Sequence, residues 1–337
     1  MEQRIDFVIT WVDGQDEAWL KRKAQYVHNN EEGIDNRECR YRDWGLLRYW
    51  FRGVEEFAPW VHKIHFITEG HLPKWLNTQH PKLHIVNHAD YIPEKFLPTF
   101  SSHVLEIWMH RIEGLKEHFV YFNDDFFLIR PVTPKDFFHD GKPCDMAAFQ
   151  PVVANPSDPL MSHLYLNNML VLCKYFNKRE NVRQQPWNYF HPGYPPLYFF
   201  YNLLEMAFPL YSGLYTVHGP MPFRKSTFET LWELEGELLT QVSANRFRSK
   251  EDVTPYLFRE WQKLSGNFHA KNVHRMLGYF GISEDNAKLL KAIKTQKKKV
   301  LCLNDEPLDR TKEDQVRTEI QDAFTHILPE RSAFEKF

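Results

Sequence analysis

Apolar runs and amphipathic segments alternate along the first part of the chain. The run IDFVITWV at 5–12 is typical of a buried strand, whereas the apolar positions within 43–57 recur at the period of a helix. The predicted strands are 5–12, 63–68, 83–87 and 119–123, and the predicted helices are 43–57, with Asp43 as its cap, and about 102–112. This alternation predicts an α/β fold in which helices flank a mostly parallel sheet.

The second half of the chain begins with a less regular part. Residues 140–212 are rich in Pro, Tyr, Phe and Asn, and we interpret them as an irregular, aromatic-rich insertion. The later predicted elements are strands at 213–217 and 300–305, a helix from a Ser226/Glu229 capping box to about 239, and helices at 252–264, 285–295 and about 311–325. No internal repeat or Gly/Ser linker divides the chain, so we expect residues 1–337 to form a single domain.

Composition narrows the class of protein. The 42 Lys plus Arg and 44 Asp plus Glu give a formal charge of −2, which does not favour a nucleic-acid partner. The four cysteines form no C-x-x-C pair, so we expect free thiols in a reducing compartment. No secretion signal or long apolar run is present. We therefore expect a cytoplasmic protein without a transmembrane segment, and peripheral membrane attachment through the basic segment 294–299 stays open.

Four predicted strands end in polar motifs. They are ITWVDG at 9–14, YFNDD at 121–125, YTVHGP at 215–220 and CLNDE at 302–306. Ligands of open α/β sheets bind outside the carboxyl ends of the strands, so we expect these endings to meet in one cleft.

The chemistry of that cleft rests on acids, histidine and arginine. Asp124 with Asp125, and Asn304 with Asp305, are suited to a hard divalent ion, although turns or helix caps explain such pairs equally well. His218, before a stiff Gly-Pro turn, is a candidate for proton transfer and is favoured over His103 and His110. The candidate anion-binding cations are Arg224, Lys225, Arg246 and Arg248, each of which is otherwise an ordinary surface charge. P-loop, dinucleotide-binding and serine-hydrolase motifs are absent.

Several segments together resemble the four conserved blocks of the Stealth family. They are IDFVITWVDGQD; YRDWGLLRYWFRGVEEFAPWVHKIHFITEG with WLNTQHPKLHIVNH, LPTFSSHVLE and YFNDDFFL; HGPMPFRKSTFETL with NRFRSKEDV; and CLND. They cover about half of the chain in the order of the family. The family comprises sugar-phosphate transferases of bacterial capsules and exopolysaccharides, and it is similar to the catalytic part of the animal N-acetylglucosamine phosphotransferase that marks lysosomal enzymes.

The resemblance implies a nucleotide-sugar transferase fold, Rossmann-like or GT-A-like. It also implies transfer of a hexose or N-acetylhexosamine 1-phosphate from a UDP-sugar to a hydroxyl of a polysaccharide or oligosaccharide acceptor, with release of UMP. The region 140–212 would then shape the acceptor site.

Functional residues follow from the resemblance by position. The donor-site residues that it implies are Thr10, Trp11, Asp13, Gly14, Asp16, Arg42, Arg48 and Asn123. The implied active-site residues are Asp124, Asp125, His218, Arg248, Asn304 and Asp305. In the second block, Leu46 replaces an acid and Trp50 replaces a serine of the family pattern, which changes the expected donor or acceptor contacts.

These residues fit phosphoryl-type transfer, which requires neutralised phosphate oxygens and a base for the acceptor hydroxyl. Asp125 and Asp305, assisted by Asp124 or Asn304, are expected to hold Mg²⁺ or Mn²⁺ on the diphosphate. Arg248 is expected to stabilise charge at the β-phosphate, and His218, with Asp124 as second choice, is the predicted general base. The alternatives are a metal-dependent glycosyltransferase that releases UDP and a carbohydrate-binding module without turnover.

Overall fold

The computed structural model describes residues 4–27, 42–156, 158–306 and 308–336. The strands in these ranges are β1 Ile5–Thr10, β2 Ile64–Thr68, β3 Leu83–Asn87, β4 His118–Phe122, β5 Phe126–Leu128, β6 Phe138–His139, β7 Lys142–Asp145, β8 Met221–Arg224, β9 His269–Ala270, β10 Leu277–Ile282 and β11 Val300–Asp305. The helices are α1 Glu17–Ala24, α2 Leu47–Phe57, α3 His88–Tyr91, α4 Ser102–Ile107, α5 Pro134–Phe137, α6 Pro159–Tyr175, α7 Lys178–Gln184, α8 Pro186–Tyr189, α9 Pro196–Glu205, α10 Lys225–Leu234, α11 Gly236–Ser243, α12 Pro255–Leu264, α13 Ala287–Thr295 and α14 Glu313–Ile327.

A five-stranded sheet in the order β3-β2-β1-β4-β8 forms the centre of the fold. The first four strands run parallel, and β8 pairs antiparallel with β4 at the edge. Ile9 of β1 lies opposite Phe122 of β4, so the chain leaves both strands at the same edge of the sheet. The predicted α/β class with a mostly parallel sheet is confirmed.

A smaller sheet in the order β10-β11-β5 brings a distant part of the chain to that edge. Strand β11 pairs parallel with β10 and antiparallel with β5. The backbone N–H of Leu303 also donates to the carbonyl of Asp125 at 2.9 Å. This pairing places the end of β11 beside the end of β4. A third sheet of three short strands, β6-β7-β9, lies elsewhere.

Two apolar clusters hold the central sheet between layers of helices. Along β1, Phe7 and Ile9 belong to the cluster that includes residues of α2 and α14, while Val8 belongs to the cluster that includes residues of α4, α10 and α12. Successive side chains of a strand point to opposite faces, so a strand buried on both faces is apolar at nearly every position. Each such side chain contributes about 2 kcal/mol through its burial.

Two predicted helix starts are wrong. Helix α2 begins at Leu47, because the Asp43 carboxylate accepts the Gly45 N–H in a local turn instead of capping the helix. Ser226 lies inside α10, where its hydroxyl donates to Glu117, so no capping box forms there. The predicted single helix to about 239 is two helices, α10 and α11.

The region 140–212 is mostly helical rather than irregular. Helices α6 to α9 lie within it, and residues 213–217 form no strand beyond a bridge between Leu214 and Phe149. Helix α9 is apolar on its solvent side, since Phe200, Leu203 and Leu204 are all exposed. That composition hides the helical period on which the sequence prediction depends. Treatment of this region as an insertion stays a prediction.

Two further predictions concern free thiols and the absence of a transmembrane segment. Cys144, Cys173 and Cys302 are free thiols, and Cys39 lies outside the described residues. Within the described ranges, every helix is too short or too polar to cross a membrane.

Candidate functional site

Three of the four predicted strand ends, and the loop that carries His218, meet around one cavity of about 230 Å³. The predicted residues that line it are Trp11, Arg42, Asn123, Asp124, Asp125, His218, Arg248, Asn304 and Asp305. The expected convergence on one cleft is therefore confirmed, while the chemical roles of these residues stay predictions. We call this the central cavity.

Asp125 and His218, which line the central cavity, form a compact cluster with the buried Cys302 behind them. Asp125 Oδ2 lies 3.4 Å from His218 Nε2 and accepts the thiol of Cys302 at 3.2 Å. His218 Nδ1 lies 2.8 Å from the hydroxyl of Tyr256. The imidazole is therefore held from both sides, with Nε2 directed toward the carboxylate.

Asp124 is the most perturbed acid of the central cavity. Burial, followed by repulsion from Asp125 and Asp43, raises the pKa of Asp124 to about 7, although Arg248 opposes the shift. Like-charged neighbours disfavour ionisation of each other. Such clustering of perturbed acids is common in functional sites.

Asp305 and Arg42 pair across the central cavity from Asp125. Arg42 Nη1 donates to Asp305 Oδ1 at 3.1 Å, and both side chains are largely buried. Burial raises the pKa of Asp305 to about 6 despite the opposing effect of Arg42. Arg42 thus supplies positive charge beside Asp305, although the two residues are far apart in the sequence.

A hydrogen bond to α4 positions Arg248. Its Nη2 donates to the hydroxyl of Ser102 at 2.8 Å. Glu106, one turn further along the helix, is buried, and burial raises its pKa while His103 and Arg248 oppose that shift. The guanidinium of Arg248 and the carboxyl of Glu106 both line the central cavity. Arg246 instead donates to the carbonyl of Pro98, and Arg224 pairs with Glu117.

A second cavity of about 130 Å³ adjoins the central one on the side of β1. We call it the β1-side cavity. The residues that line both are Trp11, Ser102, Glu106, Asn123, Asp124 and Arg248. Thr10 also lines the β1-side cavity, and its hydroxyl lies 2.9 Å from that of Tyr121. The predicted donor residues Thr10, Trp11 and Asn123 are thus brought together.

Four predicted donor residues lie outside these two cavities. Asp16 caps α1 by accepting the Trp19 N–H, and the Asp13 carboxylate accepts the N–H of Gln15. Gly14 lies in the turn between them. The Arg48 guanidinium lies over the ring of Trp75, 5.4 Å from its centroid. Local turns and ring packing engage these four residues, and their assignment to the donor site stays a prediction.

The two histidines considered beside His218 differ in position. His103 lines the central cavity, but its Nδ1 lies 2.7 Å from buried Asp252. His110 packs against aromatic rings, and burial lowers its pKa to about 4. His218 is therefore the one of these three histidines whose ring nitrogen faces Asp125 of the central cavity.

Sequence reasoning missed Tyr256 and Cys302 as members of the site. Cys302 lies two residues before Asn304 on β11, so strand alternation was a usable signal for it. Tyr256 lies in the first turn of α12, and no local signal separates it from a core residue. Of the two departures from the family pattern, Leu46 lines the central cavity, whereas Trp50 is buried against Phe122.

The oxygen atoms of the central cavity fit a hard divalent ion. Asn123 Oδ1, Asp125 Oδ1 and Asp305 Oδ2 are buried and have no hydrogen-bond partner among the described residues. Uncompensated buried oxygens are costly, and coordination of a cation would compensate them. Oxygen donors of this kind match the preference of Mg²⁺ and Mn²⁺. Asp125, His218 and Cys302 also present ligand atoms within 4.8 Å of one another, although nitrogen and sulfur suit softer metals.

Comparison with known proteins gives a consistent assignment. The family model of Stealth protein CR1, conserved region 1, matches residues 3–31, and that of Stealth protein CR2, conserved region 2, matches residues 40–145. The chain is 40% identical to the capsular polysaccharide phosphotransferase WcwK of Streptococcus pneumoniae, over 100% of this chain and 99% of that protein. It is 38% identical to the receptor polysaccharide phosphotransferase WefC of Streptococcus gordonii, over 99% and 100%.

A third relative and two solved structures complete the comparison. The exopolysaccharide phosphotransferase cps2G of Lactiplantibacillus plantarum is 37% identical over 98% of this chain and 96% of that protein. The bifunctional glycosyltransferase WbbM, at a TM-score of 0.38 and 9% identity, covers 97% of this chain and 52% of its own. Mouse xyloside xylosyltransferase 1, at 0.35 and 12%, covers 89% and 97%, and these scores are too low to assign a fold. The full-length relatives show that the chain belongs to the Stealth family and is a sugar-phosphate transferase.

Proposed function

We propose that this enzyme transfers a sugar 1-phosphate from a UDP-sugar to a hydroxyl of a glycan acceptor in capsule or exopolysaccharide synthesis. The observation that carries the proposal is the composition of the central cavity. Among the described residues, five carboxylates, two guanidinium groups and two imidazoles surround a space next to the ends of parallel strands. A glycan-binding surface requires neither this charge density nor a positioned base.

The bond changes define what the cavity must provide. The acceptor oxygen forms a bond to the β-phosphorus, and the bond from that phosphorus to the oxygen bridging the two phosphates breaks. UMP leaves with the bridging oxygen, and the product is a phosphodiester. Negative charge gathers on the transferred phosphate and on the leaving group, so cationic groups are needed around both.

The cationic groups of the cavity fit this requirement. Arg248 and Arg42 both line the cavity, and guanidinium matches phosphate oxygens well. Asp125 and Asp305, with Asn123 or Asn304, would hold Mg²⁺ or Mn²⁺. Bound there, the ion would neutralise oxygens of the diphosphate.

His218 is the proposed general base. Its Nδ1 lies beside the Tyr256 hydroxyl, so a proton on Nδ1 would leave Nε2 free to accept the acceptor proton. Asp125, 3.4 Å from Nε2, stabilises the imidazolium that results. Asp124 is the second candidate, since its pKa of about 7 suits proton exchange near neutrality.

The leaving nucleotide tests the proposal. Purified enzyme would be incubated with a panel of UDP-sugars, Mg²⁺ or Mn²⁺ and a short polysaccharide acceptor, and the released nucleotide identified by chromatography. We expect UMP and a phosphodiester signal in the ³¹P NMR spectrum of the product. EDTA should abolish turnover, and excess Mg²⁺ or Mn²⁺ should restore it. Release of UDP would identify a glycosyltransferase and contradict the proposed reaction.

A further inference from the structure

A third cavity, of about 420 Å³, opens next to the central one on the side of α6. It lies between the segment 150–155, α6 and the first turns of α12. Gly213, next to the lining residue Leu214, has φ +155°, and a side chain at that position would lie only 2.3 Å from the carbonyl of Gln150. The backbone of this wall is therefore packed too closely for any residue but glycine. We call this space the α6-side cavity.

The α6-side cavity meets the central cavity at the proposed base. Met161 and Tyr256 line both, and the Tyr256 hydroxyl is the group that lies 2.8 Å from His218 Nδ1. The α6-side cavity shares no residue with the β1-side cavity. The three spaces therefore run in the order β1-side, central, α6-side, with the charged groups in the middle.

The wall of the α6-side cavity differs chemically from that of the central cavity. Glu260 is the one carboxylate among the described residues of its wall, and this group accepts the Thr216 hydroxyl at 2.8 Å and pairs with Lys263 at 2.6 Å. The remaining polar side chains are amides and hydroxyls, set among Val, Met and Leu. A compensated wall of this kind suits a neutral ligand rich in hydroxyl groups rather than a phosphate.

An aromatic surface and amide groups provide what a sugar ring needs. Tyr165 stacks on Tyr256 with ring centroids 5.9 Å apart and an interplanar angle of 17°. Burial raises the pKa of Tyr165 to about 12, so its hydroxyl is protonated and can both donate and accept hydrogen bonds. Gln150 adds an amide on the opposite segment. Apolar and aromatic surface packs against the C–H face of a pyranose, while amides and hydroxyls pair with its rim.

We propose that the α6-side cavity is the acceptor subsite, in which a neutral saccharide ring lies against Tyr165 with its reacting hydroxyl directed toward His218. This assignment rests on the proposed function. The nucleoside of the donor is the competing occupant. It is assigned to the β1-side cavity, because that space shares Asp124 and Arg248 with the central cavity and contains the rings of Trp11 and Phe100.

The test separates acceptor binding from donor binding. Tyr165→Ala and Gln150→Ala would be compared with Leu170→Ala, a control on the exposed side of the same helix α6. Steady-state kinetics would use UDP-sugar donors and oligosaccharide fragments of streptococcal capsules as acceptors. Hydrolysis of the UDP-sugar in the absence of acceptor would report on the donor machinery alone.

Both cavity variants should raise the KM for the acceptor roughly tenfold, as loss of a ring or amide contact predicts. Their rates of donor hydrolysis should stay within about twofold of the wild type. The control should change neither quantity. An unchanged acceptor KM, or a raised KM for the donor alone, would overturn the assignment. Failure of the proposed function would look different, because the wild-type enzyme itself would then release UDP instead of UMP.

Discussion

The carboxylate of Asp145 and those of the central cavity lie within the same α/β fold, and they differ in how fully the protein satisfies their hydrogen bonds. Asp145 receives two hydrogen bonds from Arg259, at 2.6 and 2.9 Å, and a third from the N–H of Met146. In the central cavity, by contrast, Asp125 and Asp305 each keep one buried oxygen without a hydrogen-bond partner among the described residues. The carboxylate of Asp145 is fully compensated by the protein, and the other two are not.

The pKa values show the same contrast. Burial would raise the pKa of Asp145, but Arg259 and Lys263 outweigh it and lower the value. Burial and like charges raise the pKa of Asp124 to about 7, and Arg248 does not outweigh them. A compensated buried acid stabilises the fold, whereas clustered uncompensated acids store free energy that a ligand or ion can release. Three predictions test this difference.

The largest expected effect is on turnover in the central cavity. His218→Ala or Asp125→Asn should lower turnover about a thousandfold, because base and carboxylate act on the reacting groups. Thermal unfolding should change little, since neither side chain is packed in the core. The measurement is turnover with donor and metal saturating, and His139→Ala, at an exposed position, is the control. Near-normal turnover of His218→Ala would remove it as the base.

The next effect is on stability at the compensated pair. Arg259→Met should lower the free energy of unfolding by about 3–5 kcal/mol, because Asp145 would remain buried without its main partner. Arg259 also donates to the carbonyl of Val217, so the loop before His218 loses its anchor. Urea unfolding measures the loss.

The exposed pair of Lys312 and Glu284 provides the comparison for that variant. Lys312→Met should change the free energy of unfolding far less, because both side chains are largely in water. If the lysine variant and the arginine variant lost equal free energy of unfolding, burial would not distinguish the two ion pairs.

The smallest expected effect is an increase in stability, whereas most substitutions lower the free energy of unfolding. The pKa of Asp124 is about 7 in the folded protein, so ionisation opposes folding and its cost appears as the pH rises from about 4 through 7. In metal-free protein, Asp124→Asn should therefore be more stable than the wild type at pH 8, by an amount that water around this accessible side chain reduces. At pH 4 the two proteins should be equally stable.

Urea unfolding in EDTA at both pH values checks that prediction. Asp322→Asn is the matched control, because Asp322 is exposed on α14 and should show no such pH dependence. A destabilised Asp124→Asn protein at pH 8 would mean that the ionised carboxylate is compensated after all. The central cavity would then resemble the site of Asp145.

The central sheet was predictable from the sequence because its strands are buried on both faces. In β1, β2 and β4 nearly every residue must be apolar, so the run itself identifies the strand. Strand β8 was missed, since MPFR is short and polar at its end and owes its conformation to pairing with β4. The Ser226 capping box failed for a related reason, because Glu117, distant in sequence, receives that hydroxyl.

The site followed the same division. Polar endings of predicted strands indicated that Asp125 and Asp305 would meet in one cleft. The sequence did not show that β11 belongs to a separate sheet, which reaches that edge through its pairing with β5. Connectivity does not say which neighbours a side chain finds there. Arg48 matched the family pattern and yet packs on Trp75, while Tyr256 had no signal and lies against the predicted base.

The sequence by itself thus determined the fold class, the family and the set of charged groups at one edge of the sheet. These depend on burial periodicity and on residue order, which are properties of the chain. Only the tertiary structure decided which acids are compensated, where His218 points and which neutral cavity adjoins it. Those features depend on distances of a few ångströms between segments remote in sequence, where hydrogen bonds and pKa values are set.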